Sequence, residues 1–149
     1  MFTPNFVKSS GKYVQLSVTG PDVPIKSIGD VTKNIGVFTS AILAQPKLTH
    51  GRFVLAYTEE TTIGGMLKTW SKATGKPSVF VQVKSLEEYD AVWPNWGNEM
   101  GVMMQLWEEV GDKSWSGESV LTKDDLGIQN EKFVGIEETF KSMDWNAIL

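Results

Sequence analysis

In "YVQLSV" (Tyr13–Val18), Val14, Leu16 and Val18 alternate with polar or amphipathic neighbours, which predicts a strand with one apolar and one polar face. The turn Gly20-Pro21-Asp22 leads into "VPIKSI", a second extended piece. Asp30 then precedes "VTKNIGVFTSAILAQP", where Val31, Ile35, Phe38 and Ile42 form a helical stripe that Pro46 ends. "RFVLAY" and "SVFVQV" read as apolar strands. Between them Ile63, Met66, Leu67, Trp70 and Ala73 predict a helix, with Thr58 as N-cap, Glu59 and Glu60 in its first turn, and Gly75 and Pro77 as its stop. Strand, helix and strand with short links read as a parallel βαβ unit. "SLEE" is a capping box, Ser85 with Glu88, opening a helix that runs through Tyr89 to Trp93. After Pro94, "NWGNEMGVMMQLWEEVGD" is helical up to Gly111; "LTKDDLG" is a capped turn and "EKFVGIEETFKSM" a last helix. Residues 1–12 read as a loose arm and 13–149 as the body of one domain. The fold class is α/β with α+β character: a short, partly parallel sheet covered by about four or five helices.

Two glycine pairs interrupt these helices. Gly64 and Gly65 lie side by side early in the second predicted helix, where each costs about 1 kcal/mol against alanine. Close backbone packing against another element would account for them, and so would a ligand or second chain approaching the bare backbone. Gly97 and Gly101 form a GxxxG that permits close helix approach. Neither pair belongs to a phosphate loop, because no GxGxxG and no GxxxxGK[ST] occurs.

Composition narrows the function classes. A chain of 149 residues is one domain's worth, and 41% hydrophobic with 21% charged residues is ordinary for a globular protein. A net charge of −4 and the absence of basic runs argue against nucleic acid or a membrane surface as partner. Arg52 is the only arginine, which leaves little for a bidentate phosphate clamp. Without cysteine there is no disulfide, thiolate metal site or cysteine nucleophile, and a cytoplasmic setting is expected. No stretch has signal-peptide or transmembrane character. Four of the six tryptophans and four of the six methionines fall between Met66 and Trp107, so a pliable apolar pocket is looked for there.

Trp96, Met100, Met103 and Trp107 share one helical face, with Glu99 beside them. That face serves equally as core or as the wall of a site for a bulky apolar ligand, to which Trp70 and Trp93 would add. A carboxyl held in such surroundings titrates nearer neutral pH, which makes Glu99 the leading general acid or base. Tyr57 and Glu59, with Glu60, sit where a strand end meets a helix, the usual site of open α/β sheets; their plainer role is capping. Asp30 is a cap first and a base second. His50, the only histidine, lies in the turn "LTHGRF" with no GxSxG to serve and no metal-ligand spacing around it. Neither metal nor cofactor is expected.

The run from "IGDVTKNIGVF" to "SVFVQV" resembles the second half of fungal NmrA-like proteins, atypical members of the short-chain dehydrogenase/reductase group. The likeness spans about Val18 to Met143, and the "D…G" element, "ATGK" and "VWPNWGNEMGVMM" carry it. NmrA-like proteins begin with a dinucleotide-binding half bearing a glycine-rich turn, which this sequence lacks. The resemblance therefore implies a truncated relative without NAD(P), whose uncovered apolar surface is closed by self-association, most simply as a homodimer. The function it points to is a non-redox isomerase, cyclase or dehydratase acting by acid–base chemistry on an apolar natural-product intermediate in fungal secondary metabolism. The alternatives are a ligand-binding regulator and a reductase fragment whose nucleotide domain another chain supplies.

Overall fold

A computed structural model describes residues 3–111, 113 and 119–149. In chain order the elements are β1 (Asn5–Val7), β2 (Lys12–Ser17), β3 (Pro24–Ser27), α1 (Val31–Ala44), α2 (Pro46–Thr49), β4 (Phe53–Val54) and β5 (Glu59–Thr62). They continue with α3 (Ile63–Thr74), β6 (Ser78–Gln82), α4 (Leu86–Val92), α5 (Trp96–Val110), β7 (Val120–Leu121), a 3-10 turn (Asn130–Lys132), α6 (Ile136–Ser142) and α7 (Trp145–Ile148). The fold is mixed α/β, with its strands divided among three small sheets: β1-β2-β6, β3-β5 and β4-β7.

The pairing differs from the expected βαβ unit. β6 runs parallel to β2, Tyr13 facing Ser78 and Ser17 facing Gln82, while β4 takes β7 as its parallel partner. Only Phe53 and Val54 of "RFVLAY" join a ladder, so that run is too short to anchor a sheet of its own. The described part of the arm expected over residues 1–12, residues 3–12, is also structured. It turns at Gly11, whose φ of +64° suits glycine, and β1 returns antiparallel along β2.

Helix α3 begins later than the sequence pattern suggests. Thr62, not Thr58, is its N-cap, accepting from the Gly65 N–H at 2.9 Å, and Gly75 ends it at φ +69°. Glu59 and Glu60 belong instead to β5, because β3 offers an antiparallel edge that uses their backbone, Ser27 facing Glu59 and Pro24 facing Thr62. This start puts Gly64 and Gly65 in the first turn, against the preceding chain. A Cβ on Gly64 would lie 2.6 Å from Pro21 Cβ, and one on Gly65 2.6 Å from Thr61 Oγ1. The Gly64 N–H donates to Pro21 O at 2.8 Å, a bond that needs this approach.

Gly97 and Gly101 let α5 close on α4. A Cβ on Gly97 would meet Asp90 Cα at 2.7 Å and Tyr89 O at 2.8 Å, and one on Gly101 would strike Leu86. Half of the capping box of α4 forms as expected, the Glu88 N–H donating to Ser85 Oγ at 3.2 Å, while the Glu88 carboxylate accepts from the Lys84 N–H at 3.0 Å, one residue earlier than the box requires. Gly111 caps α5 at φ +53°.

Three apolar clusters result. Val23, Ile25, Ile63 and Trp107 gather Met66, Phe80 and Met103; Val18, Tyr89 and Met104 gather Leu16, Leu86, Trp93 and Met100. The third, Phe38, Leu126 and Ile128, packs α1 on the 122–133 segment. Here the expected stripe is turned. Phe38 is buried, but Val31 and Ile35 face outward, because the fully buried Asn34 fixes the helix rotation. Its Nδ2 donates to Ile28 O at 2.6 Å and Val134 O at 2.8 Å, and its Oδ1 accepts from the Val134 N–H at 3.0 Å. The polar face of β2 is turned inward too. Gln15, Ser17 and Thr19 are buried, Ser17 bonding Thr19 Oγ1 at 3.1 Å and Met104 Sδ at 3.4 Å, while both amide atoms of Gln15 lack a partner among the described residues.

Two predictions follow from this packing. Gly36 is an interior residue of α1 with nothing within 4 Å of its Cβ direction, so Gly36→Ala is expected to stabilise the protein by about 0.5–1 kcal/mol. Gly97→Ala meets backbone and is expected to cost about 1–3 kcal/mol. Urea unfolding of both variants measures the difference, and shifts of the same sign would contradict the α4–α5 contact.

The second concerns α6, which Glu137 ties to α3 through Lys72 at 2.8 Å while also bonding Lys141 at 2.7 Å. Lys141, then Lys72, brings the Glu137 carboxyl down from 4.5 to about 2. Its folded pKa is depressed, so its contribution is complete above pH 4.5 and is lost as pH falls toward 2. Melting temperatures across that window should fall less steeply for Glu137→Gln than for the parent.

Candidate functional site

The chain leaving β4 enters β5 through Tyr57 and Thr58, and β3 lies antiparallel beside it. Strand alternation sends the neighbouring carboxylates of Glu59 and Glu60 to opposite faces. On one face, Glu60 pairs with Lys26 of β3 at 2.5 Å; the Lys26 side chain is 14 % exposed, and its ammonium stands 4.9 Å from the centroid of the Tyr57 ring. Lys26 holds the Glu60 carboxyl below its usual range, with smaller help from the Tyr57 hydroxyl and the Lys123 ammonium.

On the other face, Glu59 is half-buried and its Oε1 accepts from the Ile136 N–H at 2.5 Å. It thereby caps α6, whose own N-cap, Gly135, has no side chain to do so. A Cβ at Gly135 would stand 3.1 Å from that oxygen, which explains the glycine. The Lys123 ammonium arrives from the turn after β7, donating to Thr58 O at 2.9 Å and Asn130 Oδ1 at 2.6 Å. Thr58, Glu59, Lys123, Asn130, Phe133 and Gly135 line a cleft of about 230 Å³. Glu59 Oε2 makes no hydrogen bond among the described residues, and Lys123 has a third N–H in hand. An anionic acceptor and a cationic donor thus share one small cleft.

The other residues singled out by the sequence lie elsewhere. Glu99 is exposed in the first turn of α5, and among the described residues no hydrogen bond or ion pair joins it to Tyr57, Glu59 or Asp30. The expected apolar wall divides: Met103 and Trp107 enter one core cluster, Met100 and Trp93 another, and Trp96 stays 54 % exposed. Trp70 is core, edge-on to Tyr13 at 5.2 Å and to Trp145 at 5.6 Å. Asp30 caps α1, accepting from the Thr32 N–H at 3.0 Å and the Thr32 hydroxyl at 2.6 Å; that hydroxyl above all, with Lys33, keeps its carboxyl below the usual range. His50 is an exposed C-cap of α2. Among the described residues no group of His, Cys, Asp and Glu could hold a metal ion, and no helix is long and apolar enough to cross a membrane.

Of the site residues singled out by the sequence, Glu59 alone lines this cleft; Tyr57 lies on the other face with Lys26, and Lys26, Lys123 and Asn130 were not singled out. The lysines reach the site through the β3–β5 and β4–β7 pairings, which no local pattern announces; a lysine inside the apolar run "VPIKSI" was the one signal available. Comparison with protein-family models, curated proteins and solved structures finds no match to this chain, so the resemblance to NmrA-like proteins stands on the sequence and the site is read from its own geometry.

Proposed function

We propose that the chain is a non-redox small-molecule enzyme that transfers protons at the Glu59–Lys123 cleft. The observation that carries this reading is the meeting of the half-buried Glu59 carboxylate with the Lys123 ammonium, each with bonding capacity left after its structural contacts. Glu59 Oε2 is the proton acceptor, and Lys123 with Asn130 steadies the oxygen on which charge develops. Such a pair suits an isomerisation, a cyclisation or a dehydration, in which a proton leaves carbon or oxygen while negative charge builds nearby. At about 230 Å³ the cleft is smaller than the usual ligand pocket of about 300–1,000 Å³, so it takes a small polar molecule or the polar end of a larger apolar one. Binding without turnover is the second reading, favoured by the structural duties that both charged groups already perform on backbone. In either case the protein works without NAD(P).

Fragments bearing a carboxylate or carbonyl should shift the amide resonances of Thr58 and Ile136 in a titration. Lys123→Met should weaken that binding at least tenfold. Glu59→Gln keeps an oxygen for the Ile136 N–H, so binding should persist while turnover falls by about 10²–10⁴. Undiminished turnover in Glu59→Gln would remove proton transfer from this residue, and binding with no turnover in either protein would select the second reading. Calorimetric titration with the dinucleotides should show no heat of binding. Micromolar affinity would instead favour a reductase fragment with its cofactor half on another chain.

A further inference from the structure

The β1-β2-β6 sheet has an open side at β6. The Tyr13 N–H donates to Pro77 O at 2.9 Å and the Val83 N–H to Ser17 O at 2.8 Å, which fixes the phase of the parallel ladder. Residues 77, 79, 81 and 83 turn their backbone groups to β2, so the N–H and C=O of Ser78, Phe80 and Gln82 point outward. None of these groups has a partner among the described residues. A cavity of about 370 Å³ runs along this edge, walled by Pro21, Gly64, Gly65 and Leu67, with the charged Asp22 and Lys68 also lining it, and the two glycines bring no side chain over the strand. Exposed edges are usually guarded by charge, proline or a bulge. Here "SVFVQ" itself carries none of these; Pro77 and Lys84 stand just outside it, and the charges of Asp22 and Lys68 come from other segments.

We infer that the free edge of β6 pairs with β6 of a second copy of this chain, antiparallel and centred on Phe80. This is the register that pairs all three outward residues of the strand with one another. Ser78 faces Gln82 of the copy, Phe80 faces Phe80, and Gln82 faces Ser78, giving about six interchain hydrogen bonds, two at each facing pair. A twofold axis through Phe80 makes the contact isologous, so it closes at a dimer instead of growing into a filament. The side chains agree with this register. Phe80 packs against the Val23, Ile25, Ile63 and Trp107 cluster, and its counterpart would extend that cluster across the axis. On the opposite face Val81, 39 % exposed, would be covered by Val79 of the copy. Lys76 would come opposite Lys84 of the copy, but its ammonium is turned inward to the Tyr13 hydroxyl at 3.3 Å and the Tyr13 ring. The dimer would carry one continuous sheet through both subunits.

Light scattering tests the inference independently of any ligand. The parent should be a dimer at micromolar concentration. Ser78→Pro removes one outward N–H without touching the β2 ladder, and should give a monomer with unchanged circular dichroism. Should that variant fail to fold, Val79→Cys combined with Val81→Cys provides a second measurement on a chain that otherwise has no cysteine. These positions face each other across the proposed axis at a closely spaced pair, and mild oxidation should yield a covalent dimer in near-complete yield. A monomeric parent, a folded Ser78→Pro dimer, or absence of cross-linking in the cysteine variant would each overturn the pairing.

Discussion

The parallel pairing of β2 with β6 is the constraint on which the rest of the fold depends. A parallel pair cannot be joined by a hairpin, so the chain between its strands must leave the sheet and return. Here that excursion holds β3, α1, α2, β4, β5 and α3, and with them Lys26, Tyr57, Glu59 and Glu60 of the candidate site. α3 delivers the chain directly into β6, ending at Gly75 with only Lys76 and Pro77 before the strand. The contact of Gly64 with Pro21 keeps the start of α3 against the turn that leaves β2. Both ends of α3 are thus fixed by the same pair of strands, one through the turn after β2 and the other through the turn before β6.

What was legible in the sequence is what local physics decides. The stripe of α3, the Ser85 cap of α4, the extent of α5 up to Gly111 and the Asp30 cap of α1 each depend on residues within a turn or two of one another. The GxxxG in α5 was readable as a licence for close approach, although the partner, α4, was not. Where a distant partner decides, local pattern misleads. "TEETT" can open a helix as well as form a strand, and β3 settles the choice by offering an edge. Asn34 outweighs the apolar periodicity around it because three hydrogen bonds from a buried amide fix the rotation of α1 more firmly than Val31 and Ile35 could.

The same limit explains the misreading of the site. The Trp/Met richness around α5 is real, but a helix that crosses two clusters buries its methionines in both and leaves no single wall. Glu99 stands on the side of α5 that neither cluster covers, so apolar neighbours in sequence do not become an apolar environment in space. Likewise β2 alternates as a surface strand should, yet α3 and α5 cover its polar face. Ser17 and Thr19 satisfy each other there, whereas the amide of Gln15 is left for the fold to carry.

Tyr57, Glu59 and Glu60 were singled out as a strand end meeting a helix, but both carboxylates lie within β5, and the sequence could not say which of the two faces the cleft. The period of the strand decides it. Glu60 is sent toward Lys26 and Tyr57, where an ion pair keeps it anionic and occupied. Glu59 is sent toward the start of α6, where one oxygen is spent on the Ile136 N–H and the other remains. A group that must take and return a proton needs an orientation fixed by one contact and an oxygen free of the rest. Fixing through Oε1 leaves Oε2 aligned without being engaged, and Lys123 is close enough to line the same cleft without being paired to it. Glu60 has lost that freedom to its lysine, which is why the proposed proton transfer is placed on its neighbour.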